Sequence, residues 1–276
     1  MRAAVIGHVE WIEFARVERV PVAGEIVHAL EAWEEPGGGG SVAAVQLAKL
    51  AEEVTFFTAL GDDPLGHRAS RELGALGVRV EAVYRSIPQR RGFTFVDAAG
   101  ERTITVMGER MGPNGADPLP WDLLEGADTV YFTAGDDEAL LRARRARVLV
   151  ATTRILPQLI RAGVPLDALV GSGHDRAERY SPGDLDPPPA LAVWTDGRSG
   201  GRFRTGDGGE GTYPAASVPG PVVDAYGCGD SFAGGLSFAL GSKRPVEEAL
   251  AFAAACGAAC LTGRGPYQGQ LSLRSG

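Results

Sequence analysis

The feature that most constrains this chain is Asp224-Ala225-Tyr226-Gly227-Cys228-Gly229-Asp230, followed at once by Ser231-Phe232-Ala233-Gly234-Gly235. Two glycines stand just before an acid, and a small, apolar run able to form a helix begins at that acid. Glycine reaches positive φ without steric cost, so Gly227 and Gly229 let the backbone turn tightly there. The amides of Gly227, Cys228 and Gly229 then join the unsatisfied N–H groups of the helix start. Such a concave donor cluster suits phosphate oxygens. Asp230 lies at its lip, and a helix N-terminus favours the ionised carboxylate. Amides that stabilise a moving phosphoryl, beside an acid that accepts a hydroxyl proton, are what phosphoryl transfer to an alcohol needs.

The rest of the chain fits an α/β architecture. Short apolar strands alternate with helical stretches, which points to a mostly parallel sheet with helices on both faces. The strands are expected at Ala3–Gly7, Val54–Leu60, Thr129–Phe132, Arg147–Ala151, Ala168–Val170 and Leu191–Thr195. Helices are expected at Ser41–Leu50, Leu65–Leu76, Leu140–Arg145, Ser231–Leu240 and Val246–Leu261. Trp11–Trp33 and Gly92–Val106 read instead as antiparallel strands with polar faces. No internal repeat or interdomain linker is visible, and Pro187-Pro188-Pro189 reads as a rigid loop before a strand.

With 276 residues, 44% of them hydrophobic, the chain can build a substantial core. A net charge of −8 without a Lys/Arg run argues against a nucleic-acid surface. Three cysteines make no disulfide framework, so a reducing cytoplasm is expected. Cys256 and Cys260 read as small buried residues rather than metal ligands. No apolar run reaches the ~20 residues of a membrane span, and no signal peptide is expected.

Four further segments are in register with the first motif. Gly37-Gly38-Gly39-Gly40-Ser41-Val42 leads into a helix, a strand and Gly61-Asp62-Asp63-Pro64-Leu65-Gly66. Upstream lie Gly7 and the segment Pro21 to Glu25; downstream lies Val193-Trp194-Thr195-Asp196-Gly197-Arg198-Ser199-Gly200-Gly201. Together with D-x-x-G-x-G-D they resemble the signatures of the ribokinase-like (phosphofructokinase-B) carbohydrate kinases, across roughly residues 1–270. The resemblance implies one α/β domain over 1–276, with a three-layer α/β/α core, a mostly parallel central sheet and a small β-sheet lid. That lid would come from about 11–34 and 90–108.

The resemblance also implies ATP-dependent transfer to a sugar or sugar-like hydroxyl, with Asp230 as base and Gly227, Cys228 and Gly229 as anion hole. Thr195, Gly197 and Gly200, with Ala254 and Gly257, would face the nucleotide. Glu10, Gly38, Gly39, Val42 and Arg91 are the substrate-side candidates, a guanidinium fork being suited to an acceptor phosphate or carboxylate. Asp224 and Gly265 are candidates for a monovalent cation such as K⁺, although Asp224 reads equally well as a loop brace. Asp175, with Ser172, stands where the family usually carries N-x-x-E and would support Mg²⁺. A homodimer joined through the lid is a further expectation.

Departures fall on the acceptor side. The family's frequent Lys is Gly39 here, its frequent sugar-binding Asn is Val42, and its usual sugar-binding Asp is Ile12. Ribose is therefore not assumed, and a nucleoside is an alternative acceptor. A catalytically weak binding or regulatory protein on the same scaffold is the other reading. The absence of G-x-x-x-x-G-K-[ST] argues against a P-loop ATPase. A dehydrogenase is excluded for want of G-x-G-x-x-G after the first strand.

Overall fold

The computed structural model describes residues 1–273. In chain order its strands are β1 (Arg2–Ile6), β2 (Glu10–Arg16), β3 (Glu31–Gly37), β4 (Glu53–Gly61), β5 (Arg79–Arg85), β6 (Arg91–Val96), β7 (Arg102–Met107), β8 (Thr129–Phe132), β9 (Leu149–Thr152), β10 (Ala168–Ser172), β11 (Leu191–Thr195), β12 (Gly201–Thr205) and β13 (Glu210–Tyr213). The helices are α1 (Gly39–Leu50), α2 (Pro64–Ala75), α3 (Asp137–Ala143), α4 (Leu156–Ala162), α5 (Cys228–Gly241) and α6 (Val246–Cys260). All the expected core strands and helices form, with ends displaced by no more than about three residues. Unexpected are β5, β12, β13 and α4.

Among the described residues, nine strands form one sheet in the order β13-β12-β11-β10-β9-β8-β1-β4-β5. From β5 to β11 neighbours run parallel, and β12 and β13 add an antiparallel edge. Side chains alternate across the sheet, as strand geometry requires. Ala3 and Val5 of β1 join the core under α1, α5 and α6, whereas Ala4 and Ile6 join the opposite core beneath α3 and α4. That second core is anchored by Phe57, fully buried and stacked on Trp121 at a centroid distance of 5.1 Å.

Small residues let the helices on the first face approach closely. At Gly234 a Cβ would stand 3.2 Å from the Ala43 carbonyl oxygen of α1, and at Gly235 one would stand 2.7 Å from the Cys256 sulfur of α6. The Ala- and Gly-rich composition of α6 thus serves packing against α5.

Four strands form a separate sheet in the order β3-β2-β6-β7. This is the expected lid, with its strands inside or within three residues of the anticipated segments. One detail differs: β2–β3 and β6–β7 are antiparallel hairpins, but β2 and β6 pair in parallel. The lid rests on the core through its aromatics. Phe14 stacks on Trp33 at 4.8 Å and meets Tyr226 edge-on at 5.1 Å. Trp11 is wholly buried, donating to Glu34 with Arg68 over its ring, and Phe93 packs on Phe95.

Truncating Phe57 to Ala is expected to cost roughly 3–5 kcal/mol in urea unfolding, as for a large buried aromatic. A loss below about 1 kcal/mol would mean that the surrounding core collapses into the space.

Candidate active site

The strand order reverses between β1 and β8, and the loops leaving the carboxyl ends of the parallel strands gather there. In open α/β sheets this switch point is where ligands bind. Around it lie Gly7 and His8 after β1, Thr133 after β8, and Arg154 after β9.

The Asp224–Asp230 segment supplies the centre. Asp224 has no exposed surface; its carboxylate accepts the Tyr226 N–H at 2.8 Å and the Gly265 N–H at 3.0 Å. Gly227 caps α5 in the left-handed region at φ 81°, where a side chain would be strained. A Cβ there would also stand 2.9 Å from Val42 and 3.0 Å from Pro266. Gly229 is different: it is exposed, and nothing lies within 4 Å of where its Cβ would stand. The fold leaves that space open, beside the N–H groups of the first turn.

Asp230 lies over Gly39. Its Oδ1 is 2.7 Å, and His8 Cε1 is 3.7 Å, from the position a Gly39 Cβ would take. A side chain at position 39 would meet this carboxylate, which would have to shift. Burial raises the Asp230 pKa to about 6; the Glu178 carboxylate pushes the same way, and Arg154 and Arg102 pull against it. The group is therefore mostly ionised at pH 7 and close enough to neutrality to take up a proton.

Glu178 is the acid that the sequence reading missed. It accepts from the Ser172 N–H at 2.7 Å and pairs with Arg154 at 2.7 Å. Asp175, the expected acid, is committed elsewhere. It caps a short 3₁₀ turn through the Ala177 N–H and pairs with Arg154 at 2.7 Å. His174 is exposed. Among the described residues no group of three or more His, Cys, Asp or Glu side chains is arranged to hold a metal.

The remaining candidates separate cleanly. Glu10 is buried beside Gly38, paired with Arg90 at 2.7 Å. Arg91 does not reach this side. Successive strand residues point to opposite faces, and Arg91 pairs with Glu13 on the outer face of the lid. Arg90 and Arg110 take its place: Arg110 donates to His8 Nδ1 at 3.3 Å and to the Thr133 carbonyl at 3.0 Å. Val42 is wholly buried under the Gly227 turn and closed to any ligand, so its role is packing. Ile12 is likewise buried, against Gly37 and Gly92.

On the other flank Thr195 ends β11, with Gly197 (φ 55°) and Gly200 (φ 82°) shaping the turn into β12. Gly257 of α6 packs on the Cys228 carbonyl, its Cβ position 3.2 Å away, and Ala254 is half-buried one turn earlier. Cys256 and Cys260 are buried thiols.

The family model for pfkB family carbohydrate kinase matches residues 2–160 and 186–272. The chain belongs to this family. An ATP-dependent ribose-1-phosphate kinase from Halopiger xanaduensis is 28% identical, over 94% of this chain and 91% of the relative. An aminoimidazole riboside kinase from Salmonella typhimurium is 26% identical, over 86% of each. Among solved structures, a putative ribokinase from Agrobacterium tumefaciens superimposes with a TM-score of 0.80 at 19% identity, covering 98% of this chain and 94% of its own. Ribokinase from Arabidopsis thaliana, complexed with ribose and ATP, gives 0.73 at 18% identity, covering 98% and 95%. The pfkB kinase has the ribokinase fold with its small second sheet, and no helix among its described residues is long and apolar enough to cross a membrane.

A carboxyl titration followed by NMR is expected to place Asp230 near pH 6. Glu178→Gln removes a neighbouring negative charge and should lower that midpoint. An unchanged or higher midpoint would show that Glu178 does not act on Asp230.

Proposed function

We propose that the chain transfers the γ-phosphoryl of ATP to a hydroxyl of a sugar or sugar-like molecule, with Asp230 as the base. The observation that carries this is Asp230 at the first turn of α5, next to the unfilled space over Gly229 and above the bare backbone of Gly39. In this reading the acceptor hydroxyl lies beside the Asp230 carboxylate, and its proton passes to that carboxylate as the oxygen attacks phosphorus and the bond to ADP breaks. The Gly227, Cys228 and Gly229 amides hold the transferring phosphoryl. Arg102 of the lid, which lowers the pKa of Asp230, adds positive charge from above. Thr195, Gly197, Gly200, Ala254 and Gly257 would border the nucleotide, with Glu10, Gly38 and Gly39 bordering the acceptor. Closure of the lid would keep water from taking the phosphoryl.

A magnesium ion would ride chiefly on phosphate oxygens and neutralise their charge, with Glu178, whose charge acts on Asp230, as the supporting protein acid and Asp175 held to it through Arg154. Asp224 is buried with two amide donors and no ion pair among the described residues. That isolated charge suits a monovalent cation beside Gly265, which would stabilise the start of α5. We also read β7 as the dimer edge. All six of its residues are exposed, including Ile104 and Val106, and its outer edge lacks a strand partner among the described residues.

ADP release from Mg-ATP should depend on an acceptor when sugars, sugar phosphates and nucleosides are screened. Asp230→Asn should lower it by ~10²–10⁴-fold. Gly229→Ala should leave the melting temperature unchanged while cutting turnover, because its methyl enters only the open space. Saturable ATP binding without turnover on any acceptor would instead favour a regulatory protein on this scaffold. For the dimer, Val106→Lys is expected to shift gel-filtration mass toward the monomer. A wild-type monomer at micromolar concentration would remove that assignment.

A further inference from the structure

Among the described residues, one guanidinium on the acceptor side of the site, that of Arg110, has no ion-pair partner. Three guanidiniums, from Arg90, Arg110 and Arg154, act on the His8 ring, and together with burial they hold its pKa well below the usual histidine value. His8 is therefore neutral and able to accept a hydrogen bond from Arg110.

Two of the three arginines are matched by acids. Arg90 pairs with Glu10 at 2.7 Å, and Arg154 pairs with Asp175 and Glu178, each at 2.7 Å. Arg110 has no acid partner among the described residues. Its bonds go to the neutral His8 nitrogen and to the Thr133 carbonyl, although its guanidinium is largely removed from water. A guanidinium carries five N–H donors in a planar fork, and a buried charge without a counter-charge is costly. Glu10, the nearest acid on this side, is occupied by Arg90.

Position decides what the counter-charge belongs to. Arg110 is bonded to His8 and Thr133, at the β1–β8 switch point, whereas the candidate nucleotide residues lie beyond β10 and on α6. His8 forms the link to the reacting centre. Its Nδ1 faces Arg110, and its Cε1 approaches the same point above Gly39 that Asp230 approaches. His8 thus touches both the guanidinium and the point above Gly39 through two ring atoms that are bonded to each other.

We propose that the acceptor is a phosphorylated sugar whose phosphate monoester is held by Arg110, while a hydroxyl elsewhere on the same ring is presented to Asp230. This rests on the kinase reading above and narrows its substrate class. A guanidinium fork takes a phosphate or a carboxylate in the same bidentate way, so the sugar-carboxylate arm of the test separates the two. His8 is a positioning residue in this scheme: neutral, it fixes the guanidinium plane without adding a charge that would draw the phosphate off Arg110.

The test compares ribose 1-phosphate, ribose 5-phosphate, ribose and a sugar carboxylate as acceptors for wild type, Arg110→Ala and Arg110→Lys. One of the phosphates should be used with a kcat/KM at least ~10-fold above ribose, and Arg110→Ala should remove most of that advantage, about 10- to 100-fold, leaving the KM for ATP unmoved. Arg110→Lys keeps the charge without the fork and should fall between. Free ribose or the carboxylate used best by wild type, an equal loss on all acceptors, or an effect confined to ATP would each overturn the proposal while the kinase reading stood. Should Arg110→Ala fail to fold, thermal stabilisation of the Asp230→Asn protein decides. Sugar phosphate stabilising at concentrations where ribose does not supports the subsite; equal stabilisation refutes it. Sugar-phosphate binding without ADP release by wild type on any acceptor would keep the subsite and defeat the kinase reading.

Discussion

The buried carboxylate of Asp224 is the interaction on which the rest of the site depends. Its two oxygens hold amides from two different loops, Tyr226 at the approach to α5 and Gly265 near the end of the described chain. From that junction hydrogen bonds spread outward. Tyr226 receives the Gly38 N–H at 3.1 Å, Tyr267 donates to the Pro36 carbonyl at 2.7 Å, and Gln270 reaches both the Val42 carbonyl and Ser231. The loop after α6 thereby ties the starts of α1 and α5 together. Both glycine-rich turns, Gly37–Gly40 and Gly227–Gly229, are positioned by one buried charge and the polar groups gathered round it. Hydrogen bonds to a charged group are among the stronger ones, and an unsatisfied one is costly, which gives this junction little freedom to shift.

Electrostatics then set the chemistry on that frame. Asp230 is drawn toward neutrality by burial and by Glu178, and drawn back by Arg154 and Arg102. The outcome is a carboxyl group with a pKa of about 6. Arg154 has a double part: it pairs with Asp175 and Glu178 and moderates the charge felt at Asp230. A site assembled from loops at the ends of separate strands can balance charges in this way because each loop contributes one or two groups and the sheet fixes where they meet.

What the sequence makes legible follows from the length scale of each cause. Glycine spacing, helix starts and apolar runs are local, so the α5 turn, the α1 turn and the central parallel strands can be read directly. Strands at or next to an edge, such as β5 and β12, alternate polar and apolar residues and bury little, so their signal is weak and their existence depends on a neighbour. Arg90 and Arg91 show the limit at the scale of one residue. A strand sends them to opposite faces, and only the register against β2 decides that Arg90 meets Glu10 while Arg91 meets Glu13. Glu178 lies six positions beyond Ser172, outside the motif spacing, and is brought back by a 3₁₀ turn whose position depends on Arg154. His8 had an available signal, since it directly follows the first strand and the carboxyl end of such a strand is where ligand contacts arise.

The reversal of strand order between β1 and β8 carries one more consequence. The loops on one side of it, with the lid, hold Glu10, Arg90 and Arg110; those on the other side hold Thr195, Gly197 and Gly200. The two sets share no loop. On the proposed reading, selectivity for the donor and for the acceptor is built on separate stretches of chain. Either stretch can drift, lengthen or be exchanged while the other keeps its shape. A scaffold divided in this way can change what it accepts without relearning what it donates.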